Sequence, residues 1–267
     1  MSNKELCKRD VPTMMEISEV VKEGKGIKSF FFRHFLDSKP GQFIMVWLPG
    51  VDEKPMAVSY LNKKEFGFTT QAVGKHTNSL CDLKKGDKVG IRGPYGNSFS
   101  VKDNACVVGG GIGIAALSIL IDKLKNPIII NGARNKDCLI YLKRFKSKNM
   151  IIATDDGSCG KKCFTTNILE EQLKQNNIKI VYTCGPEIMM KKVLDMCNKY
   201  KVECEASLER MMKCGFGVCG ACMCDDKIVC QDGTVFNSKE LNNMPEFGSF
   251  KRLKSGKKVT LKEYYSK

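Results

Sequence analysis

Residues 214 to 230 read Cys214-Gly-Phe-Gly-Val-Cys219-Gly-Ala-Cys222-Met-Cys-Asp-Asp-Lys-Ile-Val-Cys230, with five cysteines and three glycines in seventeen residues. The spacing Cys-x4-Cys-x2-Cys, followed by a separate fourth cysteine, is that of a plant-type [2Fe-2S] site. It predicts Cys214, Cys219, Cys222 and Cys230 as the metal ligands. The glycines favour the same interpretation, because a loop around such a cluster must point backbone N–H groups at the sulfurs without side chains in the way.

Two other interpretations of this loop remain open: a structural zinc site and a set of ordinary buried thiols. Zinc sites usually pair two Cys-x2-Cys knuckles across a longer spacer, whereas this loop carries three cysteines within nine residues. The residues after Cys222 predict a small hairpin that turns at Asp225 and Asp226 and returns Cys230 to the site. Cys224 is either an alternative ligand or, as we expect, a small apolar residue of that hairpin.

The composition is that of a globular protein, since 42% of the 267 residues are hydrophobic and 27% are charged. This length predicts two domains and a small appended module. The opening from Met1 to Pro12 is polar and has no secretory signal, and the longest apolar run, Val107 to Ile121, contains glycines and is too short to span a membrane. Fourteen cysteines without such a signal predict a reducing compartment, so we expect a soluble, cytoplasmic protein with no membrane partner.

The net charge of +15 raises the question of nucleic-acid binding. The basic residues are mostly lysines spread among acidic ones, and no recognition-helix, RNP or zinc-finger pattern accompanies them. We therefore expect no nucleic-acid partner, and a zinc-stabilised nucleic-acid-binding protein is the remote alternative. Only residues 251–267, with seven basic residues and one glutamate, are locally one-sided, which predicts either a solvated tail or a docking strip for an acidic partner.

The first hundred residues predict a small antiparallel β-barrel. Turn signals such as Ser-Lys-Pro-Gly at 38–41 and Lys-Lys-Gly-Asp at 84–87 separate six β-like runs. The runs are 14–21, 28–33, 42–48, 57–60, 66–73 and 88–92. Short strands at this spacing are typical of barrels that close on themselves and leave one mouth for a ligand.

The middle hundred residues alternate strands with helices. A buried strand at 105–108 leads into Gly109-Gly110-Gly111-Ile-Gly113 and a helix at 114–125, an arrangement in which the helix N-terminus faces a phosphate. Strands at 127–131, 150–154 and 178–183 and helices at 167–175 and 187–200 follow. The alternation predicts a parallel sheet that is covered on both sides, with ligands at the carboxyl ends of its strands.

From Gly41-Gln42-Phe43 to the C-terminus the sequence resembles the ferredoxin reductase family of flavoproteins. The resemblance implies FAD on the barrel, with contacts from Lys54, Pro55, Met56, Ala57, Ser59, Thr70, Gly74, His76 and Thr77. Lys54 lacks the bidentate fork of the family's arginine, and Ala57 lacks a hydroxyl that either Ser59 replaces or that is absent. His76 stands where a second glycine is usual, and as a lone histidine it predicts a surface turn residue.

The strand ends of the middle region match positions at which this family binds a nicotinamide dinucleotide. The resemblance implies contacts from Gly109, Gly110, Gly111, Gly113, Arg134, Asp155, Gly185 and Pro186, with Cys184 beside the nicotinamide as the catalytic residue. Apart from the resemblance, Cys184 also fits a buried thiol that ends a strand. Arg134 suits a 2′-phosphate, whereas Asp155 and Asp156 would repel one if they lie close, so NAD is favoured over NADP.

The residues around the cysteine loop, Leu208-Glu-Arg-Met-Met-Lys-Cys-Gly215 and Val229-Cys-Gln-Asp-Gly-Thr-Val-Phe236, resemble the electron-transfer subunits of NAD-dependent dihydroorotate dehydrogenase type B. The resemblance implies an oxidoreductase subunit of pyrimidine biosynthesis that carries electrons from the FMN of a catalytic partner subunit through [2Fe-2S] and FAD to NAD+. It also implies a heterotetramer with two copies of each subunit. The exposed edge of the loop, with Phe216 and Val218, is the candidate contact with that partner.

The predicted fold is therefore α/β plus β. It comprises an FAD-binding antiparallel barrel in residues 1–100, an NAD-binding parallel-sheet domain in residues 101–205, and a [2Fe-2S] module with a tail in residues 206–267. The main alternative function is a reductase subunit of the same architecture that passes electrons between NAD(P)H and ferredoxin or sulfur compounds. The catalytic subunit that copurifies with the chain would distinguish the two, because no residue here is expected to contact dihydroorotate.

Overall fold

The computed structural model describes residues 11 to 266. The predicted polar start at residues 1–10 and the last residue of the basic tail, Lys267, lie outside the described residues. The first seven strands form one antiparallel sheet in the order β1-β7-β4-β5-β6-β3-β2. They are β1 Thr13–Glu16, β2 Glu19–Gly24, β3 Ile27–Phe32, β4 Phe43–Leu48, β5 Asp52–Leu61, β6 Phe66–Gln71 and β7 Lys88–Tyr95, with helix α1 at Lys75–Asp82 before β7.

This sheet curls around a single core, as predicted for a barrel. Six of its strands contribute buried side chains to that core, among them Met15 of β1 and Ile91 of β7. The predicted run 14–21 is two strands rather than one, because Ile17 N–H donates to Asp87 and the next N–H, of Ser18, donates to Phe31 on β3. The break lets the chain pass from one edge of the sheet to the other.

Aromatic pairs fill the barrel core. Phe30 and Phe68 lie opposite each other on β3 and β6, and so do Phe32 and Phe66. Their ring centroids are 5.5 Å and 5.2 Å apart, and all four side chains are fully buried. Phe30 and Phe32 are two residues apart, with the partly exposed Phe31 between them, so a strand period of two places their rings on one face.

A second, seven-stranded sheet has the order β11-β10-β9-β8-β12-β13-β16 and is parallel except for β16. Its strands are β8 Ala105–Gly110, β9 Ile128–Ala133, β10 Met150–Thr154, β11 Lys161–Lys162, β12 Ile180–Cys184, β13 Glu203–Ser207 and β16 Val235–Asn237. The helices are α2 Ile114–Lys123, α3 Thr165–Gln175 and α4 Glu187–Tyr200. The predicted strands and helices of this region are confirmed, with ends that differ by no more than two residues. Within residues 11–266, no helix combines the length and the apolar character that crossing a membrane requires.

Helix α2 packs between the parallel sheet and the barrel. All its residues from Ile114 to Ile121 are buried. Ile119 joins the barrel core, whereas Leu117 joins the core of the parallel sheet. Ser118 Oγ donates to the backbone oxygen of Ser59 on β5 at 2.6 Å. A helix that is apolar all round needs partners on both sides, so α2 holds the glycine loop at its start against the barrel.

The cysteine-rich segment is folded onto both sheets. It contains β14 Met223–Cys224, β15 Lys227–Ile228, α5 Val229–Asp232, β16 and α6 Ser238–Asn242. Strand β16 extends the parallel sheet by pairing antiparallel with β13. The segment therefore shares a sheet with the middle region, and the predicted division at residue 206 separates strands that are hydrogen-bonded neighbours.

The basic tail is not a solvated extension. Residues 250–265 form β17 Phe250–Arg252, β18 Lys258–Thr260 and α7 Leu261–Tyr265. Lys251 is only 8% exposed, and the rings of Tyr264 and Tyr265 lie 5.0 Å and 5.5 Å from its ammonium. Of the two alternatives for the tail, a solvated extension does not describe Lys251, because an acidic partner for its ammonium lies inside the fold. The docking strip stays a prediction.

Asn97 joins the end of the barrel to the cysteine-rich segment. Its amide nitrogen donates to the backbone oxygens of Asp232 and Val235 at 3.0 Å and 2.7 Å, and its amide oxygen accepts from Val235 N–H at 2.9 Å. We expect Asn97→Ala to lower the free energy of unfolding by about 2 kcal/mol, because backbone groups lose their partners. Chemical denaturation measures this, with the exposed Asn149→Ala as the control; equal effects from both variants would contradict the role assigned to Asn97.

Candidate functional site

The four predicted ligand cysteines follow Met212 and form two pairs. The thiols of Cys214 and Cys219 lie within hydrogen-bonding distance of each other, and so do those of Cys222 and Cys230. The Cys230 N–H also donates to Cys222 Sγ at 3.4 Å. The described residues contain no group of three or more His, Cys, Asp or Glu side chains arranged to hold a metal ion. Two pairs are what a cluster with two irons needs, because each iron takes two thiolates.

Backbone N–H groups surround the sulfurs of this loop. Burial raises the pKa of the Cys214 thiol, but hydrogen bonds from the backbone of Cys219, Phe216 and Val218 outweigh it and lower the pKa to about 6. Gly217 N–H donates to Cys230 Sγ at 3.2 Å. These donors stabilise negatively charged sulfur, so the loop fits the iron–sulfur cluster that its spacing predicts.

Gly217 is required by the packing of the same loop. Its φ is +91°, a conformation that side chains disfavour, and a Cβ there would overlap Oε1 of Gln231. Gln231 belongs to α5, the short helix that also carries Cys230. A larger residue at 217 would therefore strain the backbone and force the Gln231 side chain to move.

Cys224 lies on the predicted hairpin, where β14 and β15 pair on either side of Asp225 and Asp226. The side chain of Cys224 is fully buried and accepts a hydrogen bond from Arg210 Nη2 at 3.0 Å. Burial raises the pKa of this thiol to about 11, despite the lowering effect of the guanidinium, so the thiol stays protonated. Its place outside the two pairs favours a buried hairpin residue over a ligand.

The outer face of the loop is apolar and accessible. Phe216 is 39% exposed and Val218 is 76% exposed, and Cys219 is exposed as well. One side of the Phe216 ring is covered by the Arg92 guanidinium, 5.5 Å from the ring centroid, and by Tyr95 at 6.4 Å. The ring thus packs against Arg92 and Tyr95 while part of its surface is exposed, which suits contact with another protein.

The candidate dinucleotide site is a crevice at the carboxyl edge of the parallel sheet. Strand β8 has β9 on one side and β12 on the other, so the strand order reverses here. The glycine loop at 109–113 and the residues 184–186 follow these two strands and touch, since a Cβ on Gly113 would overlap the backbone oxygen of Cys184. Burial raises the pKa of the Cys184 thiol to about 12, so the thiol is neutral. An anion near this loop would be stabilised by the N-terminus of α2, which begins directly after Gly113.

Arg134 and Asp155 follow β9 and β10 on the same edge. Asp155 N–H donates to Ala133 O at 3.1 Å, and Asp156 N–H donates to Arg134 O at 3.2 Å. Hydrogen bonds from Ser158 lower the pKa of the Asp156 carboxyl, which keeps it ionised. The backbone of both aspartates thus lies beside residues 133–134, and the preference for NAD stays a prediction.

His76 is buried, so the prediction of a surface turn residue is wrong. It is 4% exposed on α1, and its Nε2 lies 3.1 Å from Val46 O. Its Nδ1 is buried without a hydrogen-bond partner in the described part of the chain. Burial lowers the pKa of this imidazole, and charges on Lys54 and Asp52 also act on it. Lys54 is paired with Asp52, and the His76 Nδ1 is enclosed by the fold. Lys54 and the start of α1 at Gly74 remain the candidate contacts for an anionic group such as the diphosphate of FAD.

Three other predicted FAD contacts, Met56, Ser59 and Thr70, face the interior, and Met56 belongs to the barrel core. Ser59 is fully buried and Thr70 is 3% exposed. The hydroxyl of Ser59 bonds to Thr69 Oγ1 at 3.0 Å, and Thr69 in turn bonds to Tyr141 OH. Because that hydroxyl is engaged inside the fold, the structure does not support Ser59 as a replacement for the hydroxyl that Ala57 lacks.

Strand β5 connects the three candidate sites. Pro55 pairs with Met45 of β4, and a Cβ on Gly215 of the cysteine loop would lie 2.7 Å from Met45 Cγ. The loop thus lies on β4, one strand spacing, about 4.8 Å, from the FAD-contact residues of β5. At its other end, β5 is bonded through Ser59 to α2, the helix that begins at the glycine loop. The candidate cluster, flavin and dinucleotide sites therefore surround one strand.

Two ion pairs beside the cysteine loop, one of them fully buried, were not predicted from the sequence. Arg92 Nε donates to Glu53 Oε1 at 2.7 Å, and Arg210 forms a two-point contact with Glu187. The members of each pair are far apart in the sequence. The only signal was the position of Arg210 directly before the cysteines.

Solved structures share this architecture. A structure of NADH-dependent reduced ferredoxin-NADP oxidoreductase, titled for flavin-based electron bifurcation, has a TM-score of 0.77 at 28% identity and covers 88% of this chain and 93% of that chain. Phthalate dioxygenase reductase, titled as a modular structure for electron transfer from pyridine nucleotides to [2Fe-2S], has a TM-score of 0.64 at 16% identity, covering 83% and 87%. Fold and site define a ferredoxin reductase-like oxidoreductase, and the predicted fold class is confirmed.

The sequence comparisons place the chain more closely. The model of the iron-sulfur cluster binding domain of dihydroorotate dehydrogenase B matches residues 209–242. A probable dihydroorotate dehydrogenase B (NAD+) electron transfer subunit of Methanocaldococcus jannaschii is 44% identical over 256 residues, covering 93% of this chain and 98% of the relative. Its Pyrococcus furiosus counterpart is 43% identical over 248 residues, covering 91% and 97%. The chain belongs to the family of dihydroorotate dehydrogenase B electron transfer subunits, and the predicted resemblance is confirmed.

The two-pair arrangement predicts which cysteine is dispensable. We expect Cys219→Ser to abolish iron retention, because one pair loses a thiolate, and Cys224→Ser to retain iron at the wild-type stoichiometry. Iron analysis and visible absorbance of the two purified variants measure this. Iron loss in Cys224→Ser but not in Cys219→Ser would show that the ligand set is different.

Proposed function

We propose that this chain is the electron-transfer subunit of a dihydroorotate dehydrogenase B, which carries electrons from the FMN of a catalytic partner subunit to NAD+ in pyrimidine biosynthesis. Membership of the family supports the proposal. The observation that carries it is the central position of β5, which is paired with the strand under the cysteine loop and bonded to the helix that follows the glycine loop. A chain built this way brings three redox groups around one strand.

The chemistry of the bound groups fits that order, because a nicotinamide exchanges two electrons as hydride, a [2Fe-2S] cluster exchanges one, and a flavin does both. The residues of the chain bind and orient these groups. Cys214, Cys219, Cys222 and Cys230 hold the cluster; Lys54, Pro55, Met56, Ala57, Gly74, His76 and Thr77 bind FAD; and Gly109, Gly110, Gly111, Gly113, Arg134, Asp155, Gly185 and Pro186 bind NAD. Cys184 is a neutral thiol at the nicotinamide end of the crevice.

The partner subunit supplies the dihydroorotate site. Phe216 and Val218 form the contact in this proposal, because they lie on the accessible face of the loop that holds the cluster. The assembly is a heterotetramer with two copies of each subunit. We place it in the cytoplasm, because the thirteen described cysteines are free thiols, as expected in a reducing compartment.

A second candidate function is a reductase subunit of the same architecture that acts on ferredoxin. The similarity to NADH-dependent reduced ferredoxin-NADP oxidoreductase, at 28% identity and a TM-score of 0.77, favours keeping it. Affinity purification from native extract separates the two functions. Recovery of an FMN-containing subunit that oxidises dihydroorotate supports the first, and recovery of a ferredoxin partner supports the second.

The order of carriers is tested with Cys219→Ser in the purified complex. We expect NADH to reduce the FAD of this variant at nearly the wild-type rate, because the flavin and dinucleotide sites are intact. Dihydroorotate should no longer reduce that FAD, because the cluster lies between it and the partner's FMN. Stopped-flow absorbance measures both reactions. Wild-type reduction of FAD by dihydroorotate in an iron-free variant would contradict the order.

Lys54 should contribute to FAD binding through its charge. We expect Lys54→Met to raise the dissociation constant of FAD about tenfold, which corresponds to the loss of one charge-assisted contact with the diphosphate. Fluorescence titration of the apoprotein measures the constant. Lys63→Met, which removes an exposed lysine beyond the other end of β5, is the matched control and should bind FAD like the wild type. An equal loss in both variants would exclude a specific contact.

A further inference from the structure

A buried ion pair lies between the start of α4 and the cysteine loop. Glu187 is 1% exposed and Arg210 is 6% exposed. Arg210 Nη2 donates to Glu187 Oε1 at 2.8 Å, and Nη1 donates to Oε2, so that both carboxylate oxygens are engaged by the planar guanidinium. Burial lowers the pKa of Arg210 but the adjacent carboxylate raises it further, so the guanidinium is charged.

The same guanidinium contacts the cysteine loop. Arg210 Nη2 also donates to Cys224 Sγ at 3.0 Å. Cys224 lies two residues after Cys222 and six before Cys230, and all three side chains are buried in one core. A fixed positive charge is therefore held beside the hairpin that joins two of the four ligand cysteines.

The folded tail adds a second cation to the pair. Lys251 Nζ lies 3.8 Å from Glu187 Oε2, and Gly248 N–H donates to Glu187 Oε1 at 2.8 Å. Two cations, Arg210 and Lys251, thus adjoin the Glu187 carboxylate, and the charge of Glu209 also acts on Lys251. Glu187 is also the first residue of α4, directly after residues 184–186, so the pair ties the cysteine loop to the edge that carries the candidate dinucleotide site.

Burying such charges is costly, and a well-packed apolar set often stabilises a fold equally well. The electrostatic field of these buried charges offers a reason for their presence beside the cysteine loop. Reduction adds a negative charge to an iron–sulfur cluster, and in a site of low dielectric constant a nearby cation favours the reduced form while a nearby carboxylate opposes it.

We propose that the positive charge of Arg210 tunes the reduction potential of the cluster. Glu187 limits this effect by neutralising part of that charge. This inference rests on the proposed function, because it requires the cluster to be bound at the four cysteines. It assigns a role in electron transfer to two residues that bind none of the redox groups.

The test is a redox titration, followed by electron paramagnetic resonance, of the full chain in complex with its catalytic subunit. We expect Glu187→Gln to shift the potential of the cluster to a more positive value, because Arg210 and Lys251 lose their anion. Arg210→Gln should shift it to a more negative value. Arg210→Lys keeps the charge and should stay nearer to the wild type than Arg210→Gln.

Asp122→Asn is the matched control, because it also removes a carboxylate from an arginine pair. Asp122 lies near the C-terminal end of α2 and pairs with Arg144 at 2.6 Å on the barrel side. The control should leave the potential unchanged. Opposite shifts in the two variants are not expected from a purely structural role, which would loosen the loop in both.

Several outcomes would overturn the inference. A cluster potential that is unchanged in Glu187→Gln, or that moves in the same direction in Glu187→Gln and Arg210→Gln, is incompatible with an electrostatic role. If Arg210→Gln fails to retain iron, the inference is decided by Glu187→Gln alone. Its cluster potential must then be more positive than that of Asp122→Asn. Absence of iron from the wild-type chain would instead refute the proposed function, and the inference with it.

Discussion

The close packing of Gly215 on Met45 is the contact on which the arrangement of the whole molecule depends. A Cβ at position 215 would lie 2.7 Å from Met45 Cγ, and the glycine has a φ of +83°. With no side chain in between, the cysteine loop lies directly on β4, whose neighbour β5 carries Pro55 and the other candidate flavin contacts. Electron transfer requires short distances between carriers, and here one missing side chain permits the short distance.

Buried charges flank this contact on two sides. Arg92 is held by Glu53 under the ring of Phe216, and Arg210 is held by a carboxylate of α4 next to the hairpin of the loop. Each guanidinium has lost water and depends on its partner. Arg92 contacts the loop through the ring of Phe216, and Arg210 contacts it through Cys224. Val218, on the outer face of the loop, is exposed.

At the candidate dinucleotide site, close backbone contacts rather than ion pairs hold the loops together. The glycine loop at 109–113 approaches residues 184–186 so closely that side chains are excluded, and α2 carries that loop to the barrel through Ser118. Because α2 is apolar all round, it belongs to the cores of both sheets. The candidate flavin and dinucleotide sites are thus connected by one helix, and a change in its packing would alter both.

Local patterns in the sequence determined much of the fold and of the candidate cluster site. The cysteine spacing, the turn at Asp225 and Asp226, the order of strands and helices, and the bounds of α4 all follow from residues adjacent in sequence, because turn chemistry and hydrophobic periodicity act over a few positions. Only the tertiary structure decided that His76 is buried, that Lys251 is enclosed by the fold, and that Arg210 meets a carboxylate 23 residues away. These outcomes depend on contacts between distant segments, whose side chains find their partners only when both sheets are assembled.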